Sequence, residues 1–428
     1  MNQTIPSTPS VVPQTRKTRY ALIGCGGRGI FMFAKPIVQR FAHSAELVGF
    51  CDLNQGRMDY ANRVLETKLP TYTDFDRMLQ DTNPDVVIVC TVDSTHHEFI
   101  IRALRHGCDV ISEKPMTIDA EKCRDILAAE RETGRRLTVT FNYRFIPYCT
   151  RIKELLGRGA IGKILSVDFN YLLDRSHGAD YFRRWHARKE NSGGLLVHKS
   201  THHFDLVNWW LDQDPEEVFA FGSRQFYGPT REQRGERCLT CGYKNTCEFY
   251  FDINTPPDFG TPFDTAELYR NVEHLDGYIR DRCVFDDRID IEDTLTLAVR
   301  YAGGTQLSYS LNAHCIHEGW QIAFNGTGGR LEAAEWHGRS DVPADTQDIV
   351  IHRPGKAAEV IRIPVESGDH GGGDRRLHHM LFEPGQPDPM GHMASSKAGA
   401  MSILTGIASN QSIATGKPVL IAGLNGER

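Results

Sequence analysis

The glycines of Gly24-Cys25-Gly26-Gly27-Arg28-Gly29 follow a short apolar run at 20–23. This is the G-x-G-x-x-G spacing of a turn that cradles a dinucleotide pyrophosphate between a strand and a helix. Gly24 permits the tight turn, Gly26 lets the backbone approach the phosphates, and Gly29 lets the helix pack close to the strand. The helix N-terminus then offers free N–H groups and a positive dipole end. A second apolar run, 46–51, ends at Asp52. An acid at that strand tip accepts hydrogen bonds from ribose hydroxyls and repels a 2′-phosphate, so NAD(H) is expected over NADP(H).

Two further strand ends carry polar residues. The run 86–90 leads into Thr91-Val-Asp93-Ser-Thr-His96, and the run 110–112 into Glu113-Lys114-Pro115. Ligands of open α/β sheets lie at the carboxyl ends of strands. Asp93 and His96 are therefore candidates for the nicotinamide half. Asp93 or Ser94 would equally serve as a helix N-cap. A charged pair ending a buried strand is costly unless it is used. Lys114 would sit by the nicotinamide and bond a substrate oxygen, with a surface ion pair as the plain alternative. Later, Gly193-Gly194 precede His198-Lys199-Ser-Thr-His202-His203-Phe-Asp205. His202 and Asp205 share a helical face, and histidine suits proton transfer near neutrality. A histidine-rich helix start that only makes caps is the alternative.

The cysteines at 238, 241 and 247 have C-x2-C-x5-C spacing, and Cys283 would complete a tetrahedral set. That spacing suits a structural zinc, which would hold a segment with little apolar periodicity in shape. The alternative is four free or partly oxidised thiols.

These residues need elements to hold them. Strand runs at 19–23, 46–51, 85–90, 109–112 and 137–140 alternate with helical patterns at 28–42, 55–66, 97–106 and 119–133. The alternation predicts a parallel sheet over 19–142. From about 163 the texture changes to alternating runs at 163–173, 216–223, 293–301, 305–312, 320–326 and 359–363. They predict a large, mainly antiparallel open sheet over 143–428, entered by helices at 147–157 and 202–212 and closed by one at 395–416. Residues 226–290 read as an inserted, Cys-bearing segment, and 1–18 as a disordered lead without the apolar core of a signal peptide.

The 428 residues carry a net charge of −6 with no basic stripe, so nucleic acid is not an expected partner. No apolar run is long enough for a bilayer. Eleven cysteines without an export signal argue for a cytoplasmic protein with reduced thiols.

The combination resembles the glucose–fructose oxidoreductase / inositol dehydrogenase / MocA (Gfo/Idh/MocA) family over nearly the whole length. The matching motifs are the glycine turn, Asp52 with Arg57, 91–96, Glu113-Lys114-Pro115, Asn142-Tyr143-Arg144 and 193–205. The resemblance implies an N-terminal Rossmann domain and an α+β domain whose sheet carries the substrate face and often a homo-oligomer interface. It implies hydride transfer between NAD(P) and a secondary carbinol of a sugar or cyclitol. Lys114 matches the catalytic lysine and His202 the catalytic histidine. The family's Asp four residues earlier is replaced by His198, which becomes a candidate base or substrate ligand. Gly24, Gly26, Gly27, Arg28, Gly29, Asp52, Arg57, Thr91, Asp93, His96, Glu113, Lys114 and Asn142 are the expected cofactor contacts. Tyr143, Arg144, Trp185, Lys199, His370 and Asp374 are the expected sugar contacts. The histidine string, the insertion and the segment 370–374 look most like a subgroup oxidising the C3 hydroxyl of glycosides. Two other outcomes share these motifs: a glycosidase or eliminase using NAD in a transient oxidation, and a non-enzymatic sensor.

Overall fold

The computed structural model describes residues 16–255, 263–383 and 385–425. The lead expected at 1–18 lies outside the described residues apart from its last positions, as does part of the insertion.

The first sheet is built from β1 (Thr18–Ile23), β2 (Ala45–Cys51), β3 (Thr71–Tyr72), β4 (Val86–Val89), β5 (Asp109–Ser112) and β6 (Leu137–Val139). These six run parallel in the order 6-5-4-1-2-3. The switch between β1 and β4 places the carboxyl ends of both strands around one crevice, where such sheets bind ligands. Helix Gln55–Val64 is capped by Asn54, and helix Ala120–Thr133 by Asp119 and then by Gly134 at φ +64°. Helix Phe75–Thr82 and β3 escaped the sequence reading, because both are short and lie between stronger patterns.

The helix after the glycine turn opens with a π-helical stretch, Gly29–Ala34, before Lys35–Gln39. Pro36 has no N–H to offer the preceding turn. The Met32 carbonyl lies 2.7 Å from His378 Nε2, whose other ring nitrogen lies 2.7 Å from an Arg40 guanidinium nitrogen.

The second sheet holds β7 (Ile164–Asp174), β8 (Pro215–Ser223), β9 (Thr294–Tyr301), β10 (Gln306–Cys315), β11 (Glu318–Gly326), β12 (Gly329–His337), β13 (Thr346–His352) and β14 (Glu359–Pro364). Two short strands follow, β15 (Ala394–Ser395) and β16 (Val419–Leu420). The order is 14-13-12-11-7-10-9-8-16, antiparallel except for β7 against β10. β15 pairs with β6 of the first sheet and β16 with β8 of the second. Helix Ser396–Thr415 between them ties the two sheets together. Helix Thr201–Leu211 is buried at every position except Asn208, as expected of an element enclosed on all sides.

Helix Arg175–Arg183 was also not foreseen. Its apolar periodicity is broken by Gly178, where a Cβ would stand 1.9 Å from the Ala313 carbonyl oxygen. Asp174 starts it by accepting the N–H groups of Ser176 and His177, each at 2.8 Å.

Candidate active site

Lys114 follows the end of β5, and His198 and His202 flank the start of the buried helix Thr201–Leu211. The fold brings them together. The Lys114 ammonium donates to the His198 carbonyl at 3.3 Å, so the two domains meet at this nitrogen. Burial pulls Lys114 down to about 8, against the opposing charges of Glu113 and Asp93.

His198 Nδ1 lies 2.5 Å from Asp93 Oδ2. Burial pushes the Asp93 carboxyl well up and the His198 imidazole well down. The sequence lacks an acid four residues before His202, yet the fold supplies an Asp–His pair from two domains. Asp93 thus faces His198. Trp185 stacks on His186 at 3.7 Å, and His186 sits edge-on to His198 at 4.2 Å.

His202 stacks on Tyr143 at 4.3 Å and 14°. Its Nδ1 is buried and has no hydrogen-bond partner among the described residues. Burial, with Lys114 and Lys199 nearby, holds the ring well below the ordinary histidine range. A neutral imidazole with a free nitrogen can accept a proton. Lys199 lies over the Tyr143 and Tyr171 rings, at 5.8 and 5.1 Å. Its pKa is lowered by burial.

A chain of polar contacts runs from this centre back to the glycine turn. Tyr143 faces His370 at 5.6 Å, and His370 Nδ1 lies 3.1 Å from Asp374. Asp374 accepts from Asn142 at 2.5 Å and lies 3.7 Å from Arg28. Arg28 donates to Glu113 at 3.1 Å, and Thr140 donates to the same carboxylate. Burial alone would raise Asp374, but His370 and Arg28 hold it well below the carboxylate range.

Two expected ligands have other work. Arg144 is locked bidentate on Asp205, at 2.6 and 2.8 Å, and donates to the Gly391 carbonyl. Both groups are buried, so Arg144 braces the helix. The ring nitrogens of His96 lie 2.8 Å from the Pro115 carbonyl and 3.1 Å from the Thr91 carbonyl. This histidine ties the two strand-end turns together. Thr91 is engaged through its hydroxyl by Thr95.

At the other end of the crevice, a Cβ on Gly24 would stand 2.4 Å from the Cys90 carbonyl, and one on Gly29 2.2 Å from the Gly24 carbonyl. A Cβ on Gly26 would meet only the Tyr269 hydroxyl, at 3.5 Å. No backbone crowds Gly26, which suits a phosphate, while the Tyr269 hydroxyl and the Phe263 ring stand over the neighbouring Gly27. Asp52 accepts the N–H groups of Cys25 and Asn54 at 2.7 and 2.8 Å, and burial raises its pKa. Each carboxylate oxygen retains a lone pair for a ribose hydroxyl.

The insertion closes over this end. Arg57 lies 3.6 Å from Asp52, pairs with Asp276 at 2.6 Å and sits 5.6 Å from both the Tyr269 and Tyr278 rings. Asn54 donates to the Val272 carbonyl, and Gly27 N–H to the Tyr269 hydroxyl at 2.9 Å. No motif marks Tyr269, Tyr278 or Asp276 in the sequence. They were missed because the insertion has no periodicity to place them.

Cys238, Cys241, Cys247 and Cys283 line one cavity of about 20 Å³, and all are free thiols. Arg183 and Arg231 donate to the sulfurs of Cys238 and Cys247, at 3.0 and 3.1 Å. The backbone N–H groups of Phe251 and Phe285 point at Cys238 and Cys283. Among the described residues no three Cys, His or acidic side chains are arranged to hold a metal ion. The thiols therefore surround a space and do not close on one point, which departs from the expected tetrahedral set.

Comparison with known proteins agrees with this architecture. The Gfo/Idh/MocA profile described as an oxidoreductase family with an NAD-binding Rossmann fold matches residues 18–141. The companion C-terminal alpha/beta domain matches 153–421. YteT of Bacillus subtilis (strain 168), named as an oxidoreductase, is 38% identical over 418 residues, spanning 92% of this chain and 96% of that protein. The inositol 2-dehydrogenase/D-chiro-inositol 3-dehydrogenase of Lactiplantibacillus plantarum is 26% identical over 183 residues, 42% of this chain and 49% of that one. A crystal structure of an oxidoreductase from Agrobacterium radiobacter, solved with NAD+, L-tartaric acid and magnesium, superposes with a TM-score of 0.66. It is 16% identical and covers 96% of this chain and 100% of that one. No described helix is long and apolar enough to cross a membrane.

Proposed function

This chain belongs to the Gfo/Idh/MocA oxidoreductase family and has its NAD-binding Rossmann domain, and on that premise we propose that it oxidises a secondary hydroxyl, at C3, of a sugar or glycoside. The observation that carries this reading is the meeting of Lys114 from one domain with the His198–Asp93 pair and the unpartnered His202. Glycines 24–29 with Arg28 hold the pyrophosphate, Asp52 and Arg57 the adenosine ribose, and Glu113 and Asn142 line the nicotinamide end. When bound, NAD supplies the hydride acceptor. The hydroxyl must lose its proton as the C–H bond breaks. His202 is neutral and takes that proton. Lys114 carries the positive charge that steadies the developing alkoxide. His198, held by Asp93, fixes the carbonyl that orients the Lys114 ammonium. Tyr143, Trp185, Lys199 and His370 present rings and donors to the sugar. A panel of glucosides, galactosides and inositols with NAD+, read by NADH formation, tests the assignment.

A second reading has its own support. Arg57–Asp276 and the two tyrosines close the adenosine end, which suits a cofactor that stays bound through turnover. The chemistry would then be a transient oxidation with no net redox change. NADH released into solution on turnover favours the dehydrogenase; its absence with product formed favours the second reading.

The four-cysteine cavity supports a structural zinc that draws the thiols inward when it binds. Metal analysis of protein kept reduced throughout should give about one zinc per chain, and none would remove the idea. Phe221 on β8 is 65% exposed and packs edge-on to Phe219 on the outer sheet face. This suits a homo-oligomer through that face, which light scattering would read.

A further inference from the structure

A cavity of about 900 Å³ opens beside the candidate active site, with Arg28 and Asp374 in its wall. Gly27 of the glycine turn shares that wall, and from Arg28 and Asp374 the polar chain through His370 leads on to Tyr143 and His202. Among the described residues its lining includes seven arginines and no lysine, against the acids Asp180, Glu248 and Asp374. The described lining thus carries an excess of positive charge.

Most of these arginines are occupied. Arg28 is held by Glu113, Arg40 lies against His378, and Arg375 lies 3.4 Å from Glu366. Arg184 pairs with Asp180 at 2.7 Å. Arg280 is different. Its side chain is 8% exposed, and the nearest carboxylate among the described residues, Asp180, is 3.9 Å away and already taken by Arg184. Its Nε and Nη1 are buried without a partner among the described residues. The guanidinium stands 4.7 Å from the centre of the Tyr269 ring, which fixes its plane. Burial favours a high pKa for Asp180, but Arg184 and Arg280 hold it down to about 2. The one acid between two guanidiniums is therefore ionised and cannot satisfy both. A buried guanidinium lacking hydrogen-bond acceptors is costly, and its fork matches a carboxylate or phosphate.

We propose that Arg280, with Arg184, binds an anionic substituent of the substrate, so that the sugar oxidised here is an acidic one. The shared chemistry is a planar or tetrahedral oxyanion, from a uronic carboxylate or a sugar phosphate. This rests on the proposed dehydrogenase reading. The dinucleotide's own diphosphate is the other anion near at hand. Gly27 and Arg28 of the turn that would hold it line the same cavity, and the arginines extend past that turn to Arg40, Arg175 and Arg375.

The test uses the full chain saturated with NAD+. Calorimetric titration with D-glucuronate and D-glucose 6-phosphate is compared with D-glucose and methyl glucoside. At least one acid should bind more tightly than its neutral counterpart, and which acid does so separates carboxylate from phosphate. That advantage should shrink as salt is raised. Arg280→Gln should weaken acid binding by on the order of 10- to 100-fold, leaving NAD+ and neutral-sugar affinity unchanged. Equal binding of acids and neutral sugars would overturn the proposal. So would loss of NAD+ affinity in Arg280→Gln, which would put the guanidinium on the diphosphate. If Arg280→Gln fails to fold, the salt dependence in the unmodified protein decides: acid binding insensitive to salt would count against the site. Acid binding that depends on Arg280 with no hydride transfer would keep the anion site and sink the dehydrogenase reading. Oxidation of neutral glycosides with no acid preference would do the reverse.

Discussion

The two ends of the dinucleotide crevice are built by different means. At the reacting end, Lys114, Asp93, His198 and His202 are set by strand termini and a buried helix. At the adenosine end, Asn54 and Arg57 are covered by loop residues, held through Asp276, Tyr269 and the Val272 carbonyl. The first end draws its rigidity from packed regular elements. The second draws it from charge pairs and rings that can let go without unfolding a sheet. Chemistry that tolerates little misplacement sits on the scaffold, and the part that must open to admit the cofactor sits on loops.

This contrast predicts where substitutions act. The largest effect belongs to Lys114→Ala, which should remove most turnover, on the order of 100-fold or more, while NAD+ binding measured by fluorescence stays nearly intact. Normal turnover would break the contrast at once. His202→Ala should cost on the order of 100-fold in rate. His198→Ala should also slow the reaction, and His198→Asp should not restore it, because Asp93 would then face a second buried carboxyl. Full activity in His198→Asp would show that His198 acts as the missing acid and not as the partner of Asp93.

A pH profile sharpens the same end. Lys114 is lowered by burial to about 8 from the ordinary 10.5. The ammonium is therefore lost as pH rises through about 8, and the oxidation rate should fall there. His202 is pushed well below 6.5 by burial, so it stays neutral and no acid limb should appear in the ordinary histidine range. A rate that climbs above pH 8 would mean that the neutral amine, and not the ammonium, is the working form.

At the adenosine end the effects should be smaller and of another kind. Asp276→Ala removes the Arg57 partner and should speed NAD dissociation by about 10-fold with little change in the rate of the bound enzyme. Stopped-flow release would show it, and a fall in rate at saturating NAD+ would mean the two ends are coupled. Asp52→Ala should weaken NAD(H) and narrow the gap to NADP(H) by a few-fold, as about 1 kcal/mol at one hydrogen bond implies. Tighter NADP(H) binding by the unmodified protein would remove Asp52 from this role.

The same contrast explains what the sequence made legible. The strand–turn–helix spacing announced the glycine turn, Asp52, Lys114 and the buried helix, because periodicity and backbone geometry are local properties. The bond from Arg144 to Asp205 was not legible because the two are 61 residues apart. Nor was the pairing of Asp93 with His198, which lies across the domain junction. Helix Arg175–Arg183 was hidden by Gly178, whose reason is a contact with β10. Tyr269, Asp276 and Arg280 carry no local signal at all, since charge pairs between loops leave no period in a sequence.

The central claim is that hydride leaves a secondary carbinol at the junction where Lys114 and His202 meet. It is tested most directly by a sugar or glycoside, neutral or acidic, deuterated at C3 and incubated with the protein and NAD+, with the dinucleotide then examined by mass spectrometry. The account predicts deuterium on the nicotinamide ring with the unmodified protein and labelling slower by on the order of 100-fold or more with Lys114→Ala at equal NAD+ occupancy. A dinucleotide that stays unlabelled while a substrate is consumed, or one labelled equally by Lys114→Ala, would contradict it.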